Sequence, residues 1–377
     1  MNIKEIKAHL TDCIIPFWKN LRDEESGGFY GEVDYALNIN KQADKGGILN
    51  SRILWFFSNA YLTLGDESCL EYAKHACEFL KEAFYDKKYG GIFWSVDYKG
   101  NVKDDRKYTY NFAFAVYALA SYYDASKDKN VLKLANALAH DIEEKCSDES
   151  GYLEAFSRDF MPIENEQLSE NGVIAHRTMN TLLHVFEAYT ELYRADKCRF
   201  FKGALERMLD LFAEKIYNPE KKRLDVFFDL DYKPLIDLTS YGHDIEASWL
   251  IDRGTDVLDV PRVPFTRIIA DRIHEIALDK DGSVFNEDVE RNVDTKKVWW
   301  VQAEAVLGFL NAGYPETAGK TLNYIKKHMI DSRPGSEWFN ELRKDNTPIK
   351  EKAIADLWKC PYHNGRMCFE IIKKGMI

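Results

Sequence analysis

Nowhere in the 377 residues is there an apolar run approaching the ~18 consecutive residues of a membrane span, and the opening MNIKEIKAHLTDC carries charges where a signal peptide needs an apolar stretch. A cytoplasmic protein without a membrane partner is expected. The seven cysteines are odd in number, scattered and free of any C-x-x-C pair, so reduced thiols rather than disulfides are expected. Lysine and arginine form no basic stripe, and the formal net charge of −11 disfavours a nucleic-acid partner. H-E-x-x-H, G-x-S-x-G, the P-loop and G-x-G-x-x-G are all missing, which removes the parts of zincin, serine-hydrolase, nucleotide and dinucleotide chemistry. No Pro/Gly/Ser-rich linker divides the chain, so residues 1–377 read as a single domain.

What the chain does contain is apolar and aromatic. A 45% apolar fraction supports a large core, and 30% charged residues keep it globular rather than membrane-spanning. Its 8 Trp, 21 Tyr and 22 Phe suit a ligand such as carbohydrate, whose C–H faces stack on rings, although a large core uses aromatics too. Periodicity gives the architecture. From Asn50 to Leu64, residues Ile53, Phe56, Phe57, Ala60 and Leu64 follow helical spacing; Gly65 ends the run, and Leu70, Ala73, Ala76, Leu80 and Phe84 mark a second helix. This is an α-hairpin.

Aromatic, glycine-rich segments that predict irregular loops or short β-hairpins recur around Gly28, Gly91, Gly151, Arg223, Gly282 and Gly335, at separations of 53 to 72 residues. That interval holds a helix, a turn, a second helix and a loop, and exceeds ordinary helical solenoid repeats. Six such units predict an all-α (α/α)6 barrel, a closed toroid of helical hairpins with short β-hairpin loops; an open right-handed solenoid is the alternative.

The unusual residues share one phase of this repeat. Arg52, Tyr110, Asn180 with His184, His243 with Glu246, Trp300 and His363 each fall near the start of the first helix of a unit. In a closed ring they would converge at one mouth as a concave small-molecule site. Singly, His184 reads as a core histidine, His243 with Glu246 at i+3 as a surface pair or as an imidazole and its orienting carboxylate, and His363 after Pro361 as a cap. Their common phase favours function. A metal held by His243, Glu246 and His363 is conceivable but not expected, and a glycosidase would need two facing carboxylates where these positions supply histidines. Two imidazoles with ordinary pKa near ~6.5 can act as base and acid on opposite faces of an aldose C2, which is epimerisation without a cofactor.

The strings GGILNSRILWFFSNAY, GGIFWSVDYKG, MNTLLHVFEAYTELY, SYGHDIEASWL, WWVQAEAVLGFLNAGY and WKCPYHNGRMCFEI, from residue 46 to about 371, resemble the cellobiose 2-epimerases within the wider N-acylglucosamine 2-epimerase family. The resemblance implies an isomerase with an (α/α)6 barrel that interconverts glucose and mannose configuration at C2 of the reducing end of a β-1,4-linked disaccharide. Cellobiose would give glucosyl-mannose; lactose and mannobiose would also serve. It implies His243 and His363 as the C2 acid/base pair, and His184 as the histidine moving a proton between O1 and O2. Arg52 and Asn180 would contact those oxygens, with Tyr110 beside them in the site. Glu246 would position the sugar and its histidine, and Trp300 and Trp358 would stack on sugar rings. No cofactor, no metal and a monomeric enzyme are expected. Leu182 stands where the family often has a histidine. A mannose 2-epimerase, an aldose–ketose isomerase on a monosaccharide, and a non-catalytic sugar-binding barrel are the other readings.

Overall fold

The first three units turn on a tight two-residue helix–helix corner, and the fourth on a longer one. The first helix ends on a residue with left-handed backbone, at Gly65 (φ 71°), Lys127 (φ 58°), Lys197 (φ 56°) and Asp259 (φ 57°). In the first two units an aspartate follows directly, Asp66 accepting from the Ser68 amide at 3.0 Å and Asp128 from the Asn130 amide at 2.8 Å. A left-handed C-terminal stop followed at once by an N-cap reverses the chain in two residues.

The computed structural model describes residues 1–168 and 171–375. In chain order the helices are α1 Ile3–His9, α2 Ile15–Lys19, α3 Gly47–Leu64, α4 Glu67–Phe79, α5 Thr109–Ser126, α6 Lys129–Lys145, α7 Met179–Asp196, α8 Arg199–Leu211, α9 Tyr241–Leu258, α10 Pro264–Ile276, α11 Trp299–Asn311, α12 Pro315–Tyr324 and α13 Tyr362–Lys374. The odd-numbered helices from α3 to α13 form the inner ring, each touching the next, and α13 returns to α3. This closure rules out the open solenoid. Helices α4, α6, α8, α10 and α12 pack outside the five preceding inner helices. Inner helices are buried on all sides, as in α5 from Thr109 to Tyr122, whereas outer helices such as α8 present one apolar stripe.

The sixth pair differs from the sequence expectation. The helical period read from Asn50 onward leaves the N-terminus unassigned, yet α1 packs against α13 and completes the ring from the two ends of the chain. A π-helical turn over Leu10–Ile14 shifts the buried stripe between α1 and α2, which hides their common face from a strict 3.6-residue reading.

Short antiparallel pairs lace the units together where the inner helices begin. Lys45–Gly46 pairs with Ser95–Val96, Lys107–Tyr108 with Ala155–Phe156, and Arg177–Thr178 with Phe227–Phe228. Leu238–Ser240 pairs with Glu287–Val289, Lys297–Val298 with Glu341–Leu342, and Ala355 bridges to Val33 to close the girdle. The glycine-rich loops are the turns beneath it. Gly91 has φ +74°, and a Cβ there would sit 2.2 Å from the Phe112 ring, so neither the backbone nor the space admits a side chain.

A buried cation precedes five of the six inner helices, and each is bound to an acid of the adjoining turn. The pairs are Lys45–Asp23 at 2.6 Å, Lys107–Asp86 at 3.2 Å, Arg177–Asp148 at 2.6 Å, Lys297–Asp279 at 2.8 Å and Lys359–Glu337 at 2.9 Å. Ahead of α9 the place is taken by Thr239, which Arg223 reaches at 3.0 Å. These contacts anchor the start of the inner helices, and with it the direction of their first-turn side chains. The seven cysteines are free thiols, and among the described residues no helix is long and apolar enough to cross a membrane.

Candidate active site

All six inner helices begin at the same end of the ring, so their first turns converge there on one cavity of about 430 Å³. Its wall contains all nine candidate residues: Arg52, Tyr110, Asn180, His184, His243, Glu246, Trp300, Trp358 and His363. Loop residues Gln167, Leu168, Asn340, Lys352 and Asp356 form its rim.

The imidazoles of His243 and His363 are held differently. Nδ1 of His243 lies 2.8 Å from the Ser240 hydroxyl, whereas Nδ1 of His363 lies 2.7 Å from Oε1 of Glu304. The Trp300 ring packs beside both, with centroids 4.7 Å from His243 and 5.5 Å from His363. With each Nδ1 engaged, Nε2 is the nitrogen left for a ligand. The third histidine, His184, has Nδ1 at 2.9 Å from Glu187, three residues along the same helix.

Beneath the histidines lies a buried charge cluster centred on Arg366. One nitrogen, Nη1, donates to Glu187 at 2.5 Å and also to the Tyr362 hydroxyl. The other, Nη2, meets Glu304 at 2.7 Å and is also ion-paired with Glu246. Tyr362 donates to Glu187 at 2.6 Å, and the Trp249 indole donates to Glu304 at 3.0 Å. Among the described residues Arg52 has no carboxylate partner. It donates to the Tyr110 hydroxyl at 2.9 Å and approaches the Trp358 carbonyl at 3.5 Å, while its buried Nε and the Asn180 Oδ1 have no partner among the described residues. These two unpartnered groups suit an oxygen-rich ligand.

Burial dominates the titration of the site. It lowers His243 to about 3, and burial together with Arg366 lowers His363 well below the usual imidazole value. Burial, then repulsion from Glu304, raises Glu246 to about 7; Glu304 is raised by burial despite Arg366. Burial opposes ionisation of Glu187, but Arg366, His184 and Tyr362 outweigh it and hold this carboxyl at about 2. Burial also sends Tyr110 to about 12. The expectation of two imidazoles near their ordinary pKa therefore changes, because burial disfavours the charged form of both His243 and His363.

Two further expectations change. Glu246 does not orient His243; it lies on Arg366 with Oε1 3.7 Å from Nδ1 of His363, and Ser240 holds His243 instead. His363 caps nothing, since Pro361 is the capping position of α13. Sequence reasoning missed Ser240, Glu187, Glu304, Tyr362 and Arg366. The signal existed in part: Glu187 follows His184, and Arg366 follows His363, at the i+3 spacing that was weighed only for His243 and Glu246. Leu182 is buried in the core, away from the cavity wall.

Glu246, Glu304 and His363 form the one group of potential metal donors among the described residues, their ligand atoms lying within 4.8 Å of one another. The Arg366 guanidinium already bridges both carboxylates, so the cation of this cluster is supplied by the protein.

The profile of the N-acylglucosamine 2-epimerase (GlcNAc 2-epimerase) family matches residues 13–364. The chain is 49% identical to a cellobiose 2-epimerase of Ruminococcus albus over the whole of both chains. It is 46% identical to a cellobiose 2-epimerase of Eubacterium cellulosolvens, across 100% of this chain and 99% of that one. A crystallised sugar epimerase from a ruminal bacterium superposes with a TM-score of 0.97 at 49% identity, covering 100% of this chain and 99% of the other.

Proposed function

Since the chain belongs to the N-acylglucosamine 2-epimerase family and is an isomerase of the epimerase type, we propose that its substrate is a β-1,4-linked disaccharide such as cellobiose, inverted at C2 of the reducing-end residue. The observation that carries this reading is the pair His243 and His363. They arise from different inner helices, flank Trp300, and each commits Nδ1 to a protein partner.

The reaction starts from the open-chain aldose, whose C1 carbonyl acidifies the C2 proton. One neutral imidazole takes that proton, leaving a cis-enediolate, and the other returns a proton to the opposite face. Negative charge develops on O1 and O2, where the Arg52 guanidinium, held by Tyr110, stabilises it without reorganising. Asn180 and His184 complete the contacts to these oxygens. His184 keeps Nδ1–H on the ionised Glu187, so its Nε2 is the atom that shuttles a proton between O1 and O2. Glu246 shapes the wall beside the reacting carbon, and Trp300 and Trp358 offer ring faces to the sugars.

An NMR time course in D2O with cellobiose, and separately with mannose, tests the reading. Glucosyl-mannose carrying deuterium at C2 is the expected product. Change in the mannose tube alone would replace the disaccharide by a monosaccharide substrate, and ketose signals would make the enzyme an aldose–ketose isomerase.

A further inference from the structure

A neutral His363 can protonate C2 from Nε2 only if Nδ1 gains a proton at the same time, and the charge cluster places a source there. Three carboxylates, Glu187, Glu246 and Glu304, surround one guanidinium. Glu187 takes the Nη1 edge of Arg366 with Tyr362 and His184, so Glu246 and Glu304 share the single nitrogen Nη2. The other groups facing Glu246, Glu304 and His363 are His184 on α7, Trp249 and His243 on α9, Arg52 on α3, Tyr110 on α5 and Tyr362 on α13; among the described residues none of them adds a cation bound to either carboxylate. Two carboxylates at one buried nitrogen cannot both ionise cheaply, and such pairs hold a proton in common. Oε2 of Glu304 accepts the Trp249 indole at 3.0 Å, which leaves Oε1, 2.7 Å from Nδ1 of His363, as the oxygen that faces the histidine.

We propose that Glu246 and Glu304 hold one proton between them and that Glu304 passes it to Nδ1 of His363 as Nε2 of that histidine protonates C2. The protons balance. C2–H goes to His243, Nε2–H of His363 goes to the opposite face of C2, and the carboxylic proton goes to Nδ1. His243 ends as imidazolium and the glutamate pair as two carboxylates, and solvent in the open cavity returns the proton from one to the other. In the reverse direction His363 takes the C2 proton and refills the pair. Glu304 thus acts through His363, as a positioning residue that also stores its proton. The raised pKa values of both glutamates agree with this arrangement.

The inference rests on the epimerase reading, and wild-type turnover of cellobiose in the same preparation secures that reading separately. Infrared spectra of the wild-type protein between pH 6 and 9 should show a protonated carboxyl stretch that fades as pH rises and is missing from both Glu304→Gln and Glu246→Gln. Burial also raises Asp244 to about 8 and Glu154 to about 7, so their bands fade over the same pH range, but both variants retain them. In D2O, Glu304→Gln should lose kcat by about 10²-fold with KM nearly unchanged. For the epimer whose C2–H faces His243, exchange without inversion should rise about 10-fold relative to inversion, because only the return step is starved of its proton. A wild-type spectrum whose protonated carboxyl bands all persist in Glu304→Gln and Glu246→Gln would overturn the proposal. Equal slowing of exchange and inversion would overturn it as well, since loss of shape slows both.

Discussion

Nδ1 of His243 is held by the hydroxyl of Ser240 at 2.8 Å, three residues ahead of it at the start of α9, while its counterpart His363 is held by a carboxylate. Because Nε2 takes the C2 proton, Nδ1 keeps its own hydrogen, and the Ser240 hydroxyl accepts it from both the neutral ring and the imidazolium. Ser240→Ala should therefore lower kcat about 10-fold, the equivalent of one lost hydrogen bond, with KM near wild type. His243→Ala and His363→Ala should each lower kcat by about 10³-fold or more while far-UV circular dichroism stays unchanged. Near-normal turnover by either alanine variant would remove that histidine from the acid/base pair.

Stability should fall on the acid side. His243 has a folded value of about 3 and an ordinary unfolded value, so between those limits the unfolded chain binds a proton that the folded chain refuses. Its contribution is complete above about pH 6.5 and is lost as pH drops through that window, by no more than about 1.4 kcal/mol per pH unit. His363 acts in the same direction. Urea midpoints measured at pH 8, 6 and 5 should decline, and His243→Gln should flatten the decline. An identical slope in the variant would show that the ring titrates normally in the folded protein.

The repeat of first-turn residues was legible because each inner helix begins at the same phase, so side chains on separate segments could be placed at one mouth before any coordinates. The sixth outer helix was not, since α1 and α2 are short and joined by a π turn, and only the return of α13 reveals their partner. Glu304 and Arg366 stayed hidden for a different reason. They lie one helical turn or more below the cavity wall, on faces that look like ordinary core, and their meeting across α11 and α13 is a long-range event without local signature. Glu246 was read against its neighbour in sequence, His243, but the contact that forms is with residues from other helices.

Trp358 is the most exposed of the site's tryptophans, 42% open, and leans on Trp94 and Tyr110 with centroids 5.9 and 6.3 Å away. An aromatic face left open at a cavity rim has no structural use for that exposure, which fits stacking on a sugar ring. Trp358→Ala should raise KM for cellobiose about 10-fold, roughly 1.4 kcal/mol, with a smaller effect on kcat. A drop in kcat at constant KM would place the ring in transition-state stabilisation rather than in binding.

Closure of the ring depends on Glu337, which is fully buried and collects four donors. They are the Trp18 indole from α2 at 2.9 Å, its own neighbour's amide at Trp338 at 2.7 Å, the Lys359 ammonium at 2.9 Å and the Asn364 amide of α13 at 2.9 Å. This carboxylate joins the N-terminal helix to the helix that carries His363. Glu337→Ala would leave the Lys359 charge buried without its partner, a loss of about 3–5 kcal/mol. Because Asn364 adjoins His363, the same change should lower kcat under conditions where the variant is still folded. Removing the surface pair between Glu5 and Lys326, which also links the N-terminus to the last units, should leave both the urea midpoint and kcat close to wild type. If Glu337→Ala lost stability but kept full kcat, the clasp would hold the barrel shut without setting the histidine, and the position of His363 would have to be credited to Glu304 and Arg366 alone.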